Sequence, residues 1–162
     1  MRFKAIDTET SPEFFPKCIK CEKKISSRDG FADLDGEAYK AYYCEPCATA
    51  AVSIVKWNMD EIKRASRIAG SHWFDAGSMR FFRSRILDTV YQGGGGVYFV
   101  SSEQFEGSSG RAPRMFSIRK FNPLTADIST FGPFNEMARE RAKRLARIAA
   151  ENPEAAKEAL GV

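Results

Sequence analysis

Four cysteines in two equally spaced pairs are the residues whose types and positions most directly specify chemistry. Cys18-Ile19-Lys20-Cys21 and Cys44-Glu45-Pro46-Cys47 are separated by 22 residues, and the chain has no other cysteine. A two-residue spacer lets one tight turn aim both sulfurs of a pair at one ion, and four thiolates form the tetrahedral set that Zn²⁺ takes. Cys18, Cys21, Cys44 and Cys47 are therefore the expected ligands of one structural Zn²⁺ per chain. Four protein donors leave no open position for water or substrate. A disulfide framework belongs to secreted chains, and a dithiol redox centre needs no second pair.

Other candidate chemistry is sparse. Lys4-Ala5-Ile6-Asp7-Thr8-Glu9-Thr10 resembles the first motif of DnaQ-like exonucleases, which implies a two-metal role for Asp7 and Glu9. The long α/β domain that carries that family's further carboxylates does not follow here, so a strand-edge turn is the expectation. His72 is the only histidine and stands beside Trp73 and Phe74, as a packing or hydrogen-bonding residue would. The glycine run 93–96 lacks the lysine of a phosphate-binding loop and opens a strand rather than a helix, so it reads as a flexible connector. Without a nucleophile–base pair or an open metal site, the chain is expected not to be an enzyme, and no small-molecule substrate is inferred.

The basic residues suggest a partner instead. The formal charge of +4 falls to about +2 once four thiolates and one Zn²⁺ are counted. Residues 1–70 carry 12 Lys and Arg, 8 of them Lys, whereas residues 71–162 carry 13, of which 10 are Arg. Guanidinium forks suit phosphate and carboxylate. On a helix expected over 136–150, Arg139, Lys143 and Arg147 recur at i, i+4 and i+8, beside Arg141 and Arg144. Arg80, Arg83, Arg119, Arg139, Arg141, Lys143, Arg144 and Arg147 are therefore the candidate contacts to nucleic acid or another partner. A solvated helix with Glu140–Arg144 pairing stays open as the plainer alternative. Arg80-Phe81-Phe82-Arg83 could stack bases, although most of the thirteen phenylalanines match core positions.

The elements that must position these residues follow from pattern. Residues 1–17 read as an extended lead-in without the apolar run of a signal peptide. No segment has the length of a membrane span, which suggests a soluble, cytoplasmic protein. Two short strands are expected over 30–34 and 37–43, then a helix that Pro46 opens and Gly70 stops, with Asn58 or Asp60 able to divide it. A turn bearing one pair, a hairpin, and a helix start bearing the other make residues 18–54 similar to the treble-clef zinc fingers. That resemblance implies the metal and the local fold, not an activity.

Beyond residue 70, Met79, Phe82, Ile86 and Val90 predict a helix. Strands follow over 97–102, 113–121 and 128–131, then the basic helix capped by Asn135 and a short helix from Pro153. The expected fold class is α+β: residues 1–70 a zinc-finger module with its following helix, residues 71–162 an α-β-β-β-α domain. That order and the basic final helix resemble the double-stranded-RNA-binding domain, which implies phosphate contacts from Arg139, Arg141, Lys143 and Arg144. Ser78–Phe82, Tyr98–Glu103 and Phe116–Pro123 look like segments of small phage-encoded proteins of unassigned function. This resemblance implies a bacterial cytoplasm and, as the alternative to nucleic-acid binding, an inhibitor or adapter docking on a host protein, possibly one of a defence system.

Overall fold

The computed structural model describes residues 3–5, 16–25, 30–33, 41–81, 83–104, 106–107, 110–133 and 137–162. Asp7, Glu9, Asn135 and most of the strand expected over 37–43 lie outside these residues. The chain is α+β and forms two compact units, residues 1–55 with 123–125, and residues 56–122 with 126–162. The division falls at Val55/Lys56 rather than at Gly70, because the second half of the expected helix belongs to the second unit.

In the first unit, strands β1 (Phe3–Ala5), β2 (Gly30–Asp33) and β3 (Tyr42–Cys44) form an antiparallel sheet in that order. Helix α1 (Glu45–Ser53) starts directly from β3. Ala48 and Val52, one helical turn apart, bury themselves with Phe3, Phe31 and Tyr43. The Phe3 and Tyr43 rings meet edge to face at 5.0 Å.

The second unit begins with α2 (Met59–Ile68), whose first turn is capped by Asn58: its side-chain oxygen accepts from the Glu61 N–H at 2.9 Å. Helix α3 (Ala76–Phe81) follows, and then strand β4 (Arg85–Gly93), where the sequence pattern continues the helix. The discrepancy has a physical reason. Residues four apart share a helix face, but they also share a strand face, so Ile86 and Val90 fit both periods. The β-branched and aromatic content of Ile86, Thr89, Val90 and Tyr91 decides for the strand. Strands β5 (Gly96–Glu103), β8 (Met115–Phe121) and β9 (Ile128–Phe131) complete an antiparallel sheet ordered β4-β5-β8-β9. A small separate hairpin, β6 (Glu106–Gly107) and β7 (Gly110–Arg111), precedes β8. Four strands in the main sheet, rather than three, remove the topological likeness to the double-stranded-RNA-binding domain.

Both faces of this sheet are covered. On one, Tyr98, Val100, Ile118 and Phe131 pack on α4 (Arg139–Glu151) through its buried Ala142, Leu145, Ala146 and Ala149. On the other, Trp57 meets Phe121 at 4.9 Å, and Trp73 and Phe74 meet Phe99 at 5.8 and 6.4 Å. Helix α5 (Pro153–Leu160) turns off α4 at Asn152, which caps it by accepting from the Ala155 N–H at 3.1 Å.

The glycine run 93–96 is not a flexible connector but the tight β4–β5 turn, seated on the α4–α5 corner. The Gly95 N–H donates to the Ala150 carbonyl at 2.8 Å, which occupies one of the acceptors that a helix end leaves free. A Cβ at Gly95 would stand 2.6 Å from the Ala149 carbonyl oxygen and from the Pro153 ring, whereas at Gly94 it would meet nothing within 4 Å. Gly95→Ala is expected to destabilise the second unit by about 1–3 kcal/mol, the usual range for overpacking against backbone, with Gly94→Ala close to wild type. Thermal unfolding followed by circular dichroism checks this pair.

Candidate functional site: a four-cysteine centre and an arginine cleft

The four cysteines come together. Residues 17 and 24 form an antiparallel bridge, and between them the Cys18 N–H donates to the Lys23 carbonyl at 2.9 Å and the Cys18 carbonyl accepts from Glu22 at 2.8 Å. Glu22 completes the knuckle in the left-handed region at φ 58°. The second pair is placed by secondary structure: Cys44 ends β3 and is the N-cap of α1, and Cys47 lies in its first turn behind Pro46. The positive end of the helix dipole therefore faces sulfur, which favours thiolate.

All four Sγ atoms lie within 4.8 Å of one another, and Cys21 and Cys44 are 3.6 Å apart. A tetrahedral thiolate site with metal–sulfur bonds of about 2.3 Å has edges of about 3.8 Å, so the side chains fit one metal ion. Burial pushes the Cys18 thiol up, but backbone N–H groups of Cys44, Lys20 and Cys21 outweigh it and bring it down to about 6. Cys47 meets the opposite condition: the Cys44 side chain and burial push it up to about 12. Mutual repulsion keeps protons on such a cluster until a cation replaces them.

The arginines divide into three groups. Arg119 is largely enclosed. It ion-pairs with Glu103 at 2.8 Å, with side chains only 12% and 6% exposed, bonds to Ser101 Oγ at 2.9 Å, and lies over the Trp73 ring at 5.4 Å. Cross-strand register explains this: Phe99 pairs with Arg119 and Ser101 with Ser117 on the enclosed sheet face. On α4, Arg139, Arg141, Arg144 and Arg147 are exposed. Glu140 pairs with Lys143 at 3.3 Å rather than with Arg144, and Arg147 sits 5.9 Å from the Tyr91 ring centre. Arg80 and Arg83 belong to the third group, a cleft of about 440 Å³ that they line with Arg85, Arg114, Ser84 and Gln104. Among the described residues no carboxylate lines it. His72 is exposed, and its Nδ1 lies 2.8 Å from an Asp75 carboxylate oxygen.

Sequence reasoning places Arg85 on a helix and Arg114 in the strand expected over 113–121, whereas Arg85 opens β4 and Arg114 precedes β8, so it misses the cleft they complete. It also misses Glu103. The signal for Glu103 is the polar continuation Ser101-Ser102-Glu103 of an apolar strand, set opposite Ser117 and Arg119.

The family model for a family of unknown function, DUF7447, matches residues 58–147, more than half of the chain. The chain belongs to this family. No curated protein and no solved structure matches it. The DUF7447 segment runs from the Asn58 cap into α4, takes in the whole four-stranded sheet and the arginine cleft, and excludes the cysteine centre. Among the described residues no helix is long and apolar enough to cross a membrane.

At one helix end of the DUF7447 segment the residue type departs from local preference. Helix α2 closes with the Gly70 N–H on the Arg67 carbonyl and Ser71 on Ser66, and α5 with Gly161 on Glu158 and Val162 on Lys157. In both, glycine takes the left-handed position, at φ 79° and 80°, as this paired closure favours. Helix α3 closes in the same way, Arg83 on Arg80 and Ser84 on Met79, but an arginine holds the left-handed residue, at φ 47°. A side chain there is unfavourable by roughly 1–2 kcal/mol. Arg83→Gly is therefore expected to unfold at a higher temperature than wild type, by the few degrees that about 1 kcal/mol gives a domain of this size. Differential scanning calorimetry reads the shift, and a lower midpoint would show that the Arg83 side chain is holding the fold.

Proposed function

We propose that the chain is a non-catalytic zinc protein that binds nucleic acid through the arginines of its second unit. The observation that carries this reading is the cleft, where four guanidiniums meet and no described lining residue is acidic. Guanidinium forks match phosphate oxygens. Helix α4 supports the reading. Its last carbonyls lie at Gly95, just before β5, so it runs back along β5 and starts towards the end of the sheet that carries Gln104 and Arg114. The exposed Arg139 and Arg141 are thus on the same end of the domain as the cleft.

Zn²⁺ is the metal we assign to Cys18, Cys21, Cys44 and Cys47. The donors form a closed four-thiolate set, and the knuckle, strand end and helix start agree with a treble clef. Such thiolates persist in a reducing compartment such as a cytoplasm. One equivalent of zinc per chain is expected by metal analysis. Cys44→Ser should lose it and unfold the first unit, since structural zinc supplies a small module's folding energy, while the second unit keeps its own unfolding transition. A stoichiometric metal other than zinc, or a folded metal-free first unit, would sink this assignment.

The binding reading is tested by fluorescence anisotropy with labelled single-stranded and duplex oligonucleotides across a salt series. Affinity should fall steeply with salt, and Arg80→Glu with Arg85→Glu should flatten the log–log slope by about 1–2, as loss of one or two phosphate contacts does. Affinity purification from a bacterial lysate with nuclease added supplies the opposite outcome. One stoichiometric protein retained through nuclease and moderate salt, with no oligonucleotide binding, would replace this reading by that of an adapter or inhibitor.

A further inference from the structure

Tyr91 and Arg147 bring an aromatic ring and a guanidinium together at the margin of the main sheet. Cross-strand pairing sets Tyr91 opposite Tyr98, and opposed residues share a sheet face. Tyr98 is fully buried in the core that α4 covers. Tyr91 lies on β4, an edge strand of the same sheet, and is only partly buried where it packs against that core. From α4, the Arg147 guanidinium reaches over the Tyr91 ring, with its central carbon 5.9 Å from the ring centre. Arg147 is exposed, so one side of its guanidinium meets tyrosine and the other meets solvent. Unpaired bases stack on aromatic rings and on arginine planes of this kind, with little regard to sequence.

The charge beside this platform is unmatched. Arg144, three residues before Arg147, is its neighbour on the helix surface and is also exposed. Among the described residues neither arginine pairs with a carboxylate: Glu140, one turn before Arg144, goes to Lys143 at 3.3 Å, and the recorded contact of Arg147 is with Tyr91. Like charges at this spacing disfavour a helix, and a phosphate beside them would turn the repulsion into charge-assisted hydrogen bonds. A duplex offers phosphates but keeps its bases paired and stacked on one another. A single strand offers both the phosphate and the open face of a base.

We propose that Tyr91, Arg144 and Arg147 form a single-strand binding surface, on which an unpaired base stacks against the solvent side of the Arg147 guanidinium and Arg144 takes a neighbouring phosphate. This rests on the nucleic-acid reading above and names the strand form bound. The test uses the full-length zinc-loaded protein and fluorescence anisotropy with three end-labelled probes: a mixed-sequence single strand, a strand of equal length and phosphate number built from abasic units, and the duplex of the first. The base-bearing single strand should bind about five- to a hundredfold tighter than the abasic one, the range that stacking one base provides. Arg147→Lys keeps the charge and removes the plane, so it should abolish this ratio while leaving the salt slope unchanged. Tyr91→Leu should reduce the ratio in the same direction, with a melting curve confirming the fold. Equal binding of the base-bearing and abasic strands, tighter binding of the duplex, or a ratio that Arg147→Lys leaves intact overturns the proposal while the nucleic-acid reading stands. Binding of none of the probes overturns both.

Discussion

The second unit depends on how closely α4 approaches its sheet. Three alanines on the buried face of the helix, Ala142, Ala146 and Ala149, have no exposed surface, and Leu145 fills the one deep position between them. Small residues on one side require small residues on the other where the backbones meet, which is why glycines form the β4–β5 turn. Close packing of this kind fixes a helix along the strands to within a fraction of a residue. Once β5 and β8 are set by it, the opposite sheet face has no freedom of register. Phe99 must face Arg119, and Glu103 must come within reach of the same guanidinium. A one-residue slip would turn all of these to the other side.

The two units treat concentrated charge in opposite ways. In the first, four potential anions gather within a few ångströms, with backbone N–H groups and a helix start beside them, a set that a cation would complete. In the second, arginines are sorted by surroundings. Arg119 receives a carboxylate, a hydroxyl and an aromatic face inside the sheet, and Arg114 receives only neutral oxygens at its edge. A buried ion pair is a poor source of net stability, but it selects one arrangement among competitors. The hydrogen bonds of Arg114 orient its guanidinium without cancelling its charge. That difference separates an arginine that serves the fold from one available to a ligand.

Much of this was legible from residue types. Spacing alone marks the cysteine pairs as one site, because a two-residue turn has few ways to arrange two sulfurs. Asn58, Gly70 and Pro153 mark helix limits through their own chemistry. The strand at 85–93 was hidden because a four-residue repeat is a multiple of two as well as close to the helical period. The role of the 93–96 run depends on what packs beside it, the Ala150 carbonyl and the Pro153 ring, which lie more than fifty residues further along. The same holds for the cleft: Arg85 and Arg114 become neighbours only through sheet pairing, and no local pattern in either segment announces the other. Arg119 shows the converse, a residue of the expected binding type that register turns inward.

The left-handed arginine has a consequence for how this family diverges. Selection on folding alone pulls the position after α3 towards glycine, and a single codon change of Arg to Gly is within easy reach. Arg83, however, makes an interaction of its own within the protein, which offsets part of what its backbone conformation costs. Within the family, glycine and arginine at this position would therefore trade backbone ease against a side-chain contact.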